Sequence, residues 1–165
     1  MTARRSALRI DIRVADPAWR NAGAAFASEL RKAVRLACNA ADGAPAGGAG
    51  LTILLANDAA LHALNARFRR KDKPTNVLSF PSPETDYLGD IAIAYEVTAR
   101  EAAEAGLALR DHALHLAIHG VLHLLGYDHE TARAARTMEP METAILAKLG
   151  IGDPYAARDG RHAAE

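Results

Sequence analysis

From Leu8 to Val14 apolar and polar residues alternate, with Leu8, Ile10, Ile12 and Val14 against Arg9, Asp11 and Arg13. A period of two predicts a half-buried strand. Asp16-Pro17 then has the form of a helix N-cap followed by proline at the first helical position. Trp19, Ala22, Phe26, Leu30, Ala33, Val34 and Ala37 recur at helical spacing to about Asn39, which predicts one helix with a single buried face. Pro45 and four glycines make the stretch from Ala40 to Gly50 a flexible loop. Leu51 to Leu55 is a short apolar run suited to a central strand. Asp58 is the expected cap of a helix carrying Leu61, Leu64 and Phe68, with His62 off that face. Asn76–Phe80 and Leu88–Tyr95 read as two strands, and the proline-rich loop from Pro81 to Asp86 makes them an antiparallel pair. Thr98-Ala-Arg-Glu101 has the form of a capping box, opening a helix that Gly106 ends. From Thr131 to Leu149, Met138, Met141, Ile145, Leu146 and Leu149 share one side. Pro140 predicts a kink there, or a fresh start capped by Thr137.

The stretch from Leu109 to Leu125 is different in kind. Leu114, Leu116, Ala117, Ile118, Val121, Leu122, Leu124 and Leu125 put apolar side chains on nearly every face, and a helix apolar all round is a buried one. Yet His115, His119 and His123 recur every four residues, on one stripe. Buried polar groups need partners, and the partner that best fits is a metal ion. His119 and His123 stand one turn apart. Gly126 suits the left-handed position that reverses a chain after a helix, and that turn can return His129 as a third ligand. The spacing H-x-x-x-H-x-x-G-x-x-H is that of the metzincin zinc proteases. Three protein ligands leave a position open on zinc, the mark of a catalytic site.

Geometry sets His115 aside from a shared ion with His123. The two lie about 12 Å apart along a helix axis, whereas two nitrogens on one zinc are within roughly 4 Å. His115 with His119 remains an alternative pair, but it leaves Gly126 and His129 without a role. His115 and Asp128 are therefore read as supports of the ligands. The proteases carry a glutamate base directly after the first histidine, and this chain has Gly120. A glycine inside a helix is unfavourable by about 1 kcal/mol relative to alanine, so something needs the space, which we expect to be substrate.

Composition narrows the setting. The 165 residues suggest one domain over 1–150 with a tail at 151–165 that is polar and mobile. Net charge is zero, so any nucleic-acid affinity must come from a local patch. Arg67-Phe-Arg-Arg-Lys-Asp-Lys73 is that patch, with five cations against one anion. The single cysteine, Cys38, excludes an internal disulfide and is expected in the core. No run reaches the roughly 18 apolar residues of a membrane span, and the N-terminus lacks a signal peptide's apolar stretch. The expected location is the cytoplasm. The order of elements predicts an α+β fold, a small mixed β-sheet packed against helices, with a buried central helix carrying a zincin-like site.

The motif from His119 to His129, with Gly120, resembles that of the YbeY endoribonucleases, which mature ribosomal RNA. Asn65-Ala-Arg-Phe-Arg69-Arg-Lys-Asp72-Lys-Pro74-Thr75-Asn76-Val-Leu-Ser-Phe80-Pro81 and, more weakly, Leu88-Gly-Asp-Ile91 are similar to the same family in the same order. The resemblance implies a zinc-dependent, single-strand-specific endoribonuclease acting in ribosomal RNA maturation and ribosome quality control. It implies single-stranded RNA, ribosomal RNA or the ribosome as partners, with neither DNA nor membrane. Arg69 matches the family's motif arginine and is the implied catalytic residue, with Arg69, Arg70, Lys71 and Lys73 binding RNA. A zinc on three neutral imidazoles keeps its double charge and lowers the pKa of bound water to about 7; either that water or the RNA 2′-hydroxyl would attack. Two other classes share the triad. A zinc hydrolase of peptides or amides lacks the glutamate, and a non-catalytic RNA-binding module with a structural metal lacks a fourth ligand.

Overall fold

A computed structural model of the chain describes residues 8–41, 49–69, 75–128 and 131–155, the Arg69 side chain excepted. Four strands, β1 (Arg9–Val14), β2 (Gly50–Ala56), β3 (Val77–Pro81) and β4 (Tyr87–Ala94), form one mixed sheet in the order β1-β2-β4-β3. β1, β2 and β4 are parallel, and β3 returns antiparallel on β4 with Ser79 opposite Ile91. The fold is α+β, with helices α1 (Phe26–Ala40), α2 (Asp58–Arg69), α3 (Tyr95–Ala105), α4 (Leu109–Leu124) and α5 (Ala132–Lys148). Among the described residues no helix is long and apolar enough to cross a membrane.

Alternation on the central strands divides the core. Leu51, Ile53 and Leu55 of β2 and Ile91 and Ile93 of β4 join the side chains of α1, α4 and α5. The opposite face gathers Ala56, Leu78, Ala92 and Ala94 with Leu61 of α2 and Val97 of α3. α4 lies against α1, α3, α5, β3 and β4, which is why its sequence is apolar all round. Leu114, Ile118 and Leu122 are fully buried, each contributing about 1.5–3 kcal/mol on transfer from water. That packing gives the histidine stripe a fixed platform.

Several local expectations give way to tertiary competition. The helix predicted to run from Pro17 to Asn39 is two pieces, a 3₁₀ turn over Pro17–Ala22 and then α1. Asp16 does cap the first piece, accepting from Ala18 N, but Gly23 at φ 105° interrupts it. The break folds Trp19 onto Phe26 and Tyr95, with its indole N–H donating to the Ala56 carbonyl at 2.8 Å. α2 is capped by Asn57, which accepts from Ala60 N at 2.9 Å, and not by Asp58. The Asp58 carboxylate instead accepts from Val97 N at the start of α3. Nor is there a capping box at Thr98. α3 follows β4 directly at Tyr95, so Thr98 is already inside it, bonding back to the Ala94 carbonyl, while Glu101 accepts from Asn76 and His112. α5 is capped by Thr131 and runs through Pro140 without a fresh start, and the Thr137 hydroxyl donates back to Arg133. Beyond α5, Ile151 packs on the core and Tyr155 returns to α4. Residues 156–165 and most of the loop expected at 40–50 lie outside the described residues.

Candidate metal centre

α4 ends in the hydrogen-bond pattern of a Schellman turn. Gly126 N donates to His123 O at 3.0 Å and Tyr127 N to Leu122 O at 3.0 Å. Gly126 sits at φ 100°, a conformation in which a side chain would be strained. The turn therefore stops α4 at Leu124, one residue after His123, and redirects the chain. Asp128, exposed, is the last described residue before the gap, and His129 lies outside the described residues.

His119 and His123 face one another. Their Nε2 atoms are 3.0 Å apart and the ring planes cross at 73°. Two nitrogens bound to one tetrahedral zinc by bonds of about 2.0–2.1 Å stand roughly 3.3 Å apart, so the pair fits a shared ion with little movement. The opposite nitrogen of His119 decides its tautomer. Nδ1–H donates to Glu142 Oε1 at 2.5 Å, which leaves the Nε2 lone pair pointing toward His123. His115 points elsewhere, donating from Nε2 to the other oxygen of Glu142 at 3.1 Å. Among the described residues no group of three His, Cys, Asp or Glu side chains is arranged around one point.

Glu142 is the residue that the sequence pattern passed over. It is fully buried, and the Tyr155 hydroxyl donates to the same oxygen as His115. Burial pushes its carboxyl up, but the hydrogen bonds from His115, His119 and Tyr155 outweigh this and hold it at about 2. A buried, ionised carboxylate thus sits behind His119, one of the two facing histidines. A signal for it exists in the sequence. Glu142 falls four residues after Met138 and three before Ile145, on the apolar stripe of α5, where a carboxylate demands partners just as the histidines do.

The remaining site candidates are only partly visible. Arg69 is the last residue of α2, and Arg70, Lys71 and Lys73 lie outside the described residues. At the start of the same patch Arg67 lies over the exposed Phe68 ring, 5.1 Å from its centroid. His112 is paired with Glu101 at 3.0 Å, away from the His119–His123 pair.

A model of the family described as Endoribonuclease YbeY matches residues 19–150. The chain belongs to that family. YbeY relatives include an endoribonuclease of Rhodopseudomonas palustris (strain HaA2), 48% identical over 162 residues, which are 90% of this chain and 82% of the relative. Another, from Chelativorans sp. (strain BNC1), is 53% identical over 115 residues, 66% of this chain and 71% of the relative. A solution structure from Thermotoga maritima has the same fold at a TM-score of 0.53 and 24% identity, covering 86% of this chain and 91% of that one. YbeY membership places the chain among the hydrolases that act on RNA.

The YbeY chain's glycine after the first histidine has a structural cause that corrects the expectation stated above. A Cβ built at Gly120 would meet Ile91 Cγ2 at 3.0 Å, Ser79 Oγ at 3.1 Å and Ile91 Cδ1 at 3.2 Å. The space is filled by the sheet and is not open to substrate. Ser79 donates to the Gly120 carbonyl at 3.3 Å across the same contact. Gly120 lets α4 lie close on β3 and β4, and its direction is that of the protein core.

Proposed function

We propose that the chain is a zinc-dependent endoribonuclease that cuts single-stranded RNA in the maturation and quality control of ribosomal RNA. His119, His123 and His129 would hold the ion. The observation that carries the metal reading is the facing pair of Nε2 atoms at 3.0 Å, one of them backed by a buried, ionised carboxylate. Family membership supplies RNA as the substrate class. Bound there, zinc supplies a double positive charge and Lewis acidity toward a phosphodiester oxygen.

The chain's own groups then divide the work. His119 presents Nε2 because Nδ1–H is held by Glu142. Three neutral imidazoles leave the ion's charge undiminished, which suits an anionic phosphodiester. Arg69, at the end of α2, would donate from its planar fork to the phosphate as charge develops there. Arg70, Lys71 and Lys73 would hold neighbouring phosphates and set register along the strand without reading sequence. The peptide-hydrolase reading is disfavoured, because a glutamate at position 120 would point into Ile91 and Ser79 and not toward a substrate.

Metal analysis tests the ligand set. His123→Ala should lose the ion, whereas His115→Ala should keep most of it; the reverse pattern would assign the wrong histidines. Incubating zinc-loaded protein with labelled single-stranded RNA and with casein separates nuclease from peptidase. Mass spectrometry of the new RNA ends identifies the attacking group, since a 2′,3′-cyclic phosphate implicates the 2′-hydroxyl.

A further inference from the structure

We propose that Glu142, clasped by Tyr155 and His115, is a positioning residue that fixes the His119 ring as its Nδ1–H tautomer and so sets the affinity of the site. The inference rests on the zinc reading for the use made of the lone pair. The tautomer itself follows from hydrogen bonds within the chain.

Both oxygens of Glu142 are engaged, one by His119 and the other by His115 and Tyr155. With Oε2 tied by two donors, the carboxylate plane cannot turn, and Oε1 stays aligned on His119 Nδ1. Tyr155 reaches this point through a built turn beyond α5. Its backbone N–H donates to Asp153 Oδ1 at 2.8 Å, and the Thr143 hydroxyl of α5 donates to the same oxygen at 3.3 Å. The phenol ring then stands perpendicular to the His115 ring, with centroids 5.6 Å apart. A hydroxyl outside the three-histidine motif thus acts on His119 through the carboxylate. Partners of this kind orient imidazole ligands and raise their basicity.

Three measurements on the full chain test this: zinc affinity by chelator competition, ¹⁵N shifts of the His119 ring in metal-free protein at neutral pH, and the melting temperature. Glu142→Gln replaces an acceptor-only group with one that must present an N–H to a histidine. It should lower zinc affinity by about 10–100-fold and turn the single Nδ1–H tautomer of His119 into a mixture. Tyr155→Phe keeps the ring on His115 and removes only the hydroxyl, so it should move both readouts in the same direction by less. A purely structural role would lower the melting temperature and leave the His119 spectrum as in wild type. An unchanged tautomer and unchanged zinc affinity in folded Tyr155→Phe and Glu142→Gln overturn the proposal. Should Glu142→Gln fail to fold, Tyr155→Phe decides alone. If the wild type takes up no zinc, the metal reading fails, while the His119 spectra of wild type and variants still decide the positioning.

Discussion

Replacing Gly120 by alanine sets two opposed effects against each other. Alanine is the better helix former by about 0.8–1 kcal/mol, and in an open helix the change would stabilise. Here the new methyl would stand 3.0–3.2 Å from three atoms of Ile91 and Ser79, inside the roughly 3.5–4.0 Å of a comfortable carbon contact. Ile91 is fully buried in β4, paired with β2 on one side and β3 on the other, so it has no free direction in which to yield. Overpacking of this kind is destabilising by about 1–3 kcal/mol. The net expectation is about 1 kcal/mol less stability, or a Tm lower by roughly 2–4 °C. Thermal denaturation of Gly120→Ala, Ile91→Val and the double variant measures it. Ile91→Val removes the Cδ1 contact, so the double variant should lose less than the two singles together. A Tm that rises in Gly120→Ala would leave only the helix preference in play and refute the close-approach account. Gly120→Glu goes further, because it adds a buried carboxylate without a partner; a loss above about 4 kcal/mol should take the fold, the metal and RNA cleavage together.

Other expectations follow from single residues. Arg69→Lys keeps the charge but not the fork, so it should preserve RNA binding and slow single-turnover cleavage at saturating RNA by about 10²–10³-fold; wild-type cleavage would reduce Arg69 to general attraction. Lys71→Ala and Lys73→Ala should weaken binding and flatten its salt dependence, read by titration at two ionic strengths. Burial raises the Cys38 thiol from 9.0 to about 11, so the folded chain holds that proton more tightly than the unfolded one. Stability should then fall as pH rises from about 9 toward 11, and Cys38→Ala should remove that part of the slope in denaturant titrations. Gly89 lies at φ 142°, and a Cβ there would meet the Phe80 carbonyl at 2.2 Å and Leu124 at 2.9 Å; Gly89→Ala should abolish cooperative melting, and a normal melt would contradict the geometry.

What the sequence made legible was whatever a local period or a local motif encodes. Alternation marked β1, the apolar circuit marked α4 as buried, and Gly126 marked its end, because each depends on residues within a few positions. The caps were harder, since Asn57 and Asp58 are both good acceptors and only the arrival of Val97 decides between them. Thr98 and Glu101 form a valid box in isolation, but β4 hands the chain to α3 three residues earlier. Glu142 escaped notice because its partners His119 and His115 are 23 and 27 positions away. Gly120 was seen as unusual but given the wrong neighbour, as Ser79 is 41 positions distant.

The placement of Glu142 on α5 also fixes a timetable for the molecule. The stripe of histidines is complete when α4 has been synthesised, yet the carboxylate that orients His119 emerges later, and the Tyr155 hydroxyl later still. In a nascent chain carrying α4 without α5, Glu142 and Tyr155 are not yet present to hold His119 Nδ1–H, so that ring is not fixed in one tautomer. Docking of α5 brings the carboxylate to His119, so the hydrogen bond that orients this ring forms only once the chain beyond α4 has been made.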